Sequence, residues 1–156
     1  MRNHTPEAAA LTALILETFR LNGRLLAVGD RLTGDLGLSS ARWQVMGAIE
    51  ETPLSVAQIA RNMGLTRQAV QRVANVLAEE GLVAFTENPN HRRAKLVCPT
   101  ARGREALEVI HRRQVDWSNR LAAGLAGEAI DEAVVVVRTL RQRLEADTEM
   151  APTRHA

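Results

Sequence analysis

Tyrosine is absent from this 156-residue chain, aromatic residues make up 3% of it, and cysteine and lysine each occur once. A single cysteine, Cys98, excludes an internal disulfide framework and fits a reducing compartment. It cannot complete a zinc site either, because no two of His4, His91, His111 and His155 stand at metal-ligand spacing. So few aromatics equip the chain poorly to stack the bases of single-stranded nucleic acid. The longest apolar runs, residues 8–16 with Thr12 inside and residues 133–137, fall short of the ~20 residues that cross a bilayer. Met1-Arg2-Asn3-His4-Thr5-Pro6 has no apolar stretch with a cleavage site, so no secretory leader is expected. No serine–histidine–acid set and no phosphate-cradling glycine pattern is visible. These absences lead us to expect a soluble cytoplasmic protein with no catalytic residues, no metal, no cofactor and no membrane partner.

Hydrophobic residues supply 46% of the chain, enough for a core without metal or disulfide support. The formal net charge of +2 names no partner, but its distribution is informative. Residues 61–104 carry Arg61, Arg67, Arg72, Arg92, Arg93, Lys95, Arg102 and Arg104 against Glu79, Glu80 and Glu87. That segment is five charges positive and the remainder three negative. A basic middle between acidic flanks is the footprint of a polyanion-binding lobe on a scaffold.

Helical periodicity dominates the pattern. Thr5-Pro6 reads as an N-cap and first helical position. Leu11, Leu14, Ile15, Phe19, Leu25, Leu26 and Leu32 then recur at three- and four-residue intervals, the apolar stripe of one long helix. Gly23 and Gly29 are weak points within it, and the stretch from Gly34 to Gly37 ends it. Ser39 or Ser40 caps a second helix to about Glu51, offering Trp43, Val45, Met46 and Ile49 to a core. Ser55 and Gln58 form a capping-box pattern for a short helix stopping near Gly64. Thr66 caps the next, which runs to Glu80 and stops at Gly81. Residues 82–86 and 94–97 read as strands around a polar loop. Thr100 caps another long helix with Leu107, Val109, Ile110 and Trp117, and a last helix follows Gly127. Its four consecutive valines, 134–137, cover every side of a turn, which suits burial against a second copy of the chain.

Residues 56–75 carry the functional signal. A helix-turn-helix needs a small residue where its helices cross, a glycine in the turn, and apolar residues locking the second helix onto the first. Ala60, Gly64, and the set Ile59, Leu65, Val70 and Val73 meet these needs together. The period of 3.6 then turns Arg67, Gln68, Gln71, Arg72 and Asn75 outward. Arginine pairs bidentately with guanine, and glutamine or asparagine with adenine. Arg67, Gln68 and Gln71 lie nearest the helix N-terminus and are expected to reach bases, while Thr66 and Arg72 hold phosphate. The hairpin behind the helix is a wing. Its tip, Asn90-His91-Arg92-Arg93, with Lys95 beside it, brings cations to a narrow minor groove.

The segments Leu38-Ser39-Ser40-Ala41-Arg42-Trp43-Gln44-Val45, Leu54-Ser55-Val56-Ala57-Gln58-Ile59-Ala60 and Leu65-Thr66-Arg67-Gln68-Ala69-Val70 resemble the MarR (multiple antibiotic resistance regulator) family. Residues 77–83, the wing run Asn88-Pro89-Asn90-His91-Arg92-Arg93, and Thr100-Ala101-Arg102-Gly103 are similar to that family's wing and exit helix. The resemblance spans roughly Leu11 to Leu144. It implies a homodimer with interlocked terminal helices, two winged lobes on one pseudo-palindromic operator, and a small-molecule or redox signal felt between the dimer helices and the lobe. Arg24, Trp43 and Trp117 lie on the helices that border that crevice in the family and are the candidate effector residues. The family's wing commonly reads Asp-Pro-x-Asp-Arg-Arg; here Asn88 and His91 replace both acids, leaving the wing more cationic and less tied down. Pro99 replaces a frequent leucine and is expected to stiffen the strand-to-helix junction. The family's cysteine sensors sit near the first helix beside polar partners, so Cys98 is not expected to be one.

The expected fold is mainly α with a small β-hairpin wing, a winged helix-turn-helix lobe on a helical dimerisation scaffold. Residues 1–38 and 101–148 form the dimerisation helices, residues 39–100 the DNA-binding domain, and residues 149–156 a disordered tail. The expected function is a homodimeric, sequence-specific regulator of transcription on double-stranded DNA, a repressor released by a small-molecule effector. The alternative is a winged helix that binds RNA or protein with no ligand-controlled operator; an enzyme ranks third.

Overall fold

A computed structural model describes residues 4–89, 91 and 93–150. Two compact units divide the chain, the first ending at Val115 and the second beginning at Asp116. The first helix, α1 (Pro6–Thr33), starts where Thr5 Oγ1 accepts a hydrogen bond from the Ala8 amide at 3.2 Å. It runs through Gly23 and Gly29 without the expected weakness. Gly29 is buried because α2 (Ser40–Ala48) crosses there: Ser40 Oγ lies 1.9 Å from where a Cβ on residue 29 would sit. Ser40 Oγ donates to the Leu26 carbonyl and its backbone N–H to Asp30 Oδ1, each at 2.7 Å. A 3₁₀ turn at Gly34–Leu36 separates the two helices, and Ser39 caps the second.

Strand β1 (Leu54–Ser55) and helix α3 (Val56–Met63) follow, then α4 (Arg67–Glu79), β2 (Val83–Thr86), β3 (Leu96–Pro99) and α5 (Ala101–Ala122). The sheet is antiparallel in the order β1-β3-β2. Strand β1 was not expected: two residues are too short to show an alternation, and only pairing of Leu54 with Val97 and Ser55 with Leu96 makes them a strand. The second wing strand is Leu96–Pro99 rather than residues 94–97, so Ala94 and Lys95 belong to the loop. Burial of Val97 between its two neighbours sets this register. Pro99 pairs with Val83 of β2 beyond the reach of β1, so its missing N–H costs the central strand little.

Val45, Met46, Ile49, Ile59, Val70, Ala74, Leu77, Val97 and Ile110 are fully buried and bind α2 to α5 and the sheet into one core. Arg113 of α5 ties that helix to the end of α1: its guanidinium donates to both carboxylate oxygens of Asp35 at 2.6 and 2.7 Å, and to the Leu32 carbonyl at 2.7 Å. The Arg113 guanidinium holds the Asp35 carboxyl below its ordinary value of 3.8. The stabilisation is therefore complete above that value and is lost as pH falls through the lowered native one. In thermal melts, the wild-type advantage over Asp35→Asn should be constant from neutral pH to about pH 5 and shrink below about pH 4. An advantage unchanged at about pH 2 would mean that the ion pair contributes nothing.

The second unit holds the end of α5 and α6 (Gly127–Met150). The valines 134–137 of α6 are 46–59% exposed in the single chain. The expected tail from residue 149 meets α6 at its start, and residues 151–156 lie outside the described residues. Among the described residues no helix is long and apolar enough to cross a membrane.

Candidate nucleic-acid interface

Ser55 makes both halves of the capping box that begins α3: its Oγ accepts from the Gln58 amide at 3.4 Å, and Gln58 Oε1 accepts from the Ser55 backbone N–H at 2.9 Å. The helix stops in a Schellman turn, with the Leu65 amide donating to the Ala60 carbonyl at 2.9 Å and the Gly64 amide to the Arg61 carbonyl at 3.3 Å. That turn needs a left-handed residue, and Gly64 supplies it at φ +64°. Thr66 then caps α4 by accepting from the Ala69 amide at 3.2 Å, which leaves its hydroxyl hydrogen available to a phosphate oxygen. Ile59, Ala60 and Val70 are buried between α3 and α4, and Val73 packs on the same core. Leu65 corrects the expected lock. It is 41% exposed, because the turn uses its backbone and directs its side chain away from the core that Ala74 and Leu77 complete.

Arg67, Gln68, Gln71, Arg72 and Asn75 are all exposed along the outer face of α4, as the helical period requires. Gln71 Nε2 donates to Asn75 Oδ1 at 2.8 Å, leaving Gln71 Oε1, its second N–H and both Asn75 amide hydrogens for a base edge. Arg67, Gln68 and Gln71 line one wall of a cleft of about 640 Å³. Arg93, Ala94 and Lys95 of the wing line the other, with Phe85 and the start of α3 (Ser55, Val56 and Ala57) between them. Among the described residues, three cations (Arg67, Arg93 and Lys95) and no acid line this space. Glu79 and Glu80 stand at the far end of α4. His91 is exposed at the wing turn, where its amide donates to the Asn88 carbonyl at 3.1 Å. Asn90 and Arg92, expected at the wing tip, lie outside the described residues.

The MarR family model matches residues 36–94, from the 3₁₀ turn to the wing loop. The uncharacterized protein Rv2011c of Mycobacterium tuberculosis is 38% identical over 125 residues, covering 80% of this chain and 84% of its own length. The chain belongs to the MarR family. Solved members are transcription regulators, and binding DNA to regulate transcription is this chain's function at that level. The transcriptional activatory protein BadR of Rhodopseudomonas palustris is 28% identical over 101 residues, 62% of this chain and 58% of that protein. The structure of CouR from Rhodococcus jostii RHA1 bound to p-coumaroyl-CoA shares the fold, with a TM-score of 0.71 at 23% identity over 78% of this chain and 86% of that one.

Within the MarR frame, the candidate effector residues occupy different settings. Arg24 is exposed on α1, Trp43 is half-buried against the hydrophobic core, and Trp117 is half-buried in the second unit. Cys98 is half-buried on β3, 3.2 Å from Thr86 Oγ1. Sequence reasoning missed Ser55, Val56, Ala57 and Phe85 as cleft residues. Their place there depends on the β1–β3 and β2–β3 pairings, which no local pattern announces.

Proposed function

We propose that the chain is a homodimer that binds a pseudo-palindromic duplex operator and represses transcription until a small molecule releases it. The observation that carries the DNA reading is the cleft between α4 and the wing, walled by Arg67, Gln68 and Gln71 on one side and Arg93 and Lys95 on the other. A helix in the major groove and a wing in the next minor groove would bracket one sugar–phosphate strand between them, and a cleft whose described lining holds cations and no acid suits that strand. Arg67, Gln68 and Gln71 would read base edges, with Asn75 beside Gln71. Thr66 and Arg72 would hold phosphate, and Asn90, His91, Arg92, Arg93 and Lys95 would serve the wing. The exposed apolar stripe of α1 (Ile15, Leu16, Phe19, Leu25) and the valines of α6 support dimerisation, since a monomer seldom leaves so much apolar surface in water. CouR bound to p-coumaroyl-CoA supports an effector, with Arg24, Trp43 and Trp117 as candidate contacts. BadR, named as an activatory protein, favours activation as the second reading.

Sedimentation combined with gel shifts on duplex from upstream of the chain's own gene tests the proposal. A dimer that prefers this duplex to random duplex and to single strands is expected, with half-sites one helical turn, roughly 34 Å, apart. Arg67→Ala should cost about 1–3 kcal/mol of operator binding and relax preference at one base pair. A monomer, or equal binding to single strands, would overturn it.

A further inference from the structure

The rear end of α4 is held from two sides by groups that touch no part of the proposed interface. From the start of α5 and the residue before it, Arg102 Nη1 donates to the Glu80 carbonyl at 2.8 Å, Thr100 Oγ1 to the Gly81 carbonyl at 2.7 Å, and the Thr100 amide to the Leu82 carbonyl at 3.0 Å. Three successive carbonyls where the chain leaves α4 are thus met by one short segment, the first of them at the helix C-cap, where orphan acceptors and the negative dipole end gather. From α2, Arg42 Nη1 sits 2.9 and 3.1 Å from the two carboxylate oxygens of Glu80 and donates to the Gly37 carbonyl at 2.8 Å. This pair is half-buried, and it joins the last turn of α4 to the loop that starts α2.

We infer that Arg42 and Glu80 are positioning residues for DNA recognition: their pair sets the angle at which α4 presents Arg67, Gln68 and Gln71. The outer face of the α4 N-terminus must stay free for the groove while Val70, Ala74 and Leu77 hold the helix's inner face in the core, so the Arg42–Glu80 pair adds its hold at the opposite end, 13 residues away. The inference rests on the interface reading above. It makes a prediction whose sign runs against simple electrostatics. Removing an acid from a DNA-binding lobe should tighten binding to a polyanion; removing Glu80 should loosen it, because its charge matters less than its grip.

The test uses a duplex that the wild-type protein selects from a randomised pool, and a scrambled duplex of the same composition. Glu80→Ala should weaken binding to the selected duplex about five- to tenfold, the scale of partly losing one base contact. Binding to the scrambled duplex should stay level or tighten. Arg42→Ala should do the same with an unchanged salt slope, and the double variant should be no worse than the poorer single one. Tighter binding of Glu80→Ala to the selected duplex would overturn the inference. So would a salt slope lowered by about one in Arg42→Ala, which would mark a phosphate contact. Thermal melts follow each variant; if Glu80→Ala unfolds, Glu80→Gln, which keeps the side chain's length, carries the same comparison. Arg67→Ala is the control for the interface itself. If it binds like wild type, the interface reading fails; if it weakens binding while Glu80→Ala does not, only the positioning role fails.

Discussion

Raising monovalent salt from about 50 to about 200 mM should weaken duplex binding by ~10³–10⁵-fold, corresponding to about six to ten neutralised phosphates. The count follows from which cations are already engaged within the protein. Arg42 and Arg113 form ion pairs with Glu80 and Asp35, while Arg102 and Arg104 donate to the Glu80 and Pro99 carbonyls. These four lose part of their attraction for an external anion. Arg67, Arg72, Arg93 and Lys95 are exposed, and the four ion pairs among the described residues do not include them. Adding Arg92 of the wing makes five cations per lobe and ten per proposed dimer. Those that read bases rather than phosphates bring the number down toward six. A plot of log affinity against log salt should be straight, with a slope between about −5 and −9. A nearly flat plot would mean that the cleft does not take a nucleic-acid backbone, whatever the fold. The overall charge of +2 would not have suggested so steep a response; the local excess in residues 61–104 does.

What was legible in the sequence is what is decided within one helical turn. The cap at Thr5, the Ser55–Gln58 box, the cap at Thr66 and the stops at Gly64 and Gly81 involve partners at most five residues apart, and all stand as expected. The outward face of α4 follows from the same short-range period. What escaped depends on partners distant in sequence. Arg42 meets Glu80 38 residues away, and Arg113 meets Asp35 78 residues away. Strand β1 exists only because β3 lies beside it, and the cleft floor only because the sheet places Phe85 near the start of α3. Leu65 failed for a related reason: its apolar character fits a lock, but the Schellman turn spends its backbone and leaves the side chain in water. Gly103, read only as part of a family-like string, shows a backbone contact that no periodicity could reveal.

That contact carries the largest expected effect on stability. A Cβ on Gly103 would lie 2.0 Å from the Leu82 carbonyl oxygen and 3.1 Å from its carbon. No rotamer can relieve the clash, because the obstacle is backbone. Nor can Leu82 retreat readily: its amide donates to the Leu77 carbonyl at 2.9 Å in the turn that ends α4, and its carbonyl accepts from the Thr100 amide at 3.0 Å. Its side chain is buried in the core. Replacing a helical glycine by alanine ordinarily gains up to about 1 kcal/mol. Here overpacking against fixed backbone should outweigh that gain, for a net loss on the order of 3 kcal/mol, or roughly 6–12 °C in melting temperature for a chain of this size. Gly47 on α2 is the control: its Cβ would meet no atom within 4 Å, so Gly47→Ala should hold or raise the melting temperature. Because Leu82 links the end of α4 to the first wing strand, whatever Gly103→Ala displaces shifts both elements of the interface. Its loss of operator affinity should therefore persist well below its melting temperature. A variant that melts within about 2 °C of wild type would show that α5 can step back from Leu82 at little cost. The close approach of α5 to this link would then not be what fixes the wing to the recognition helix.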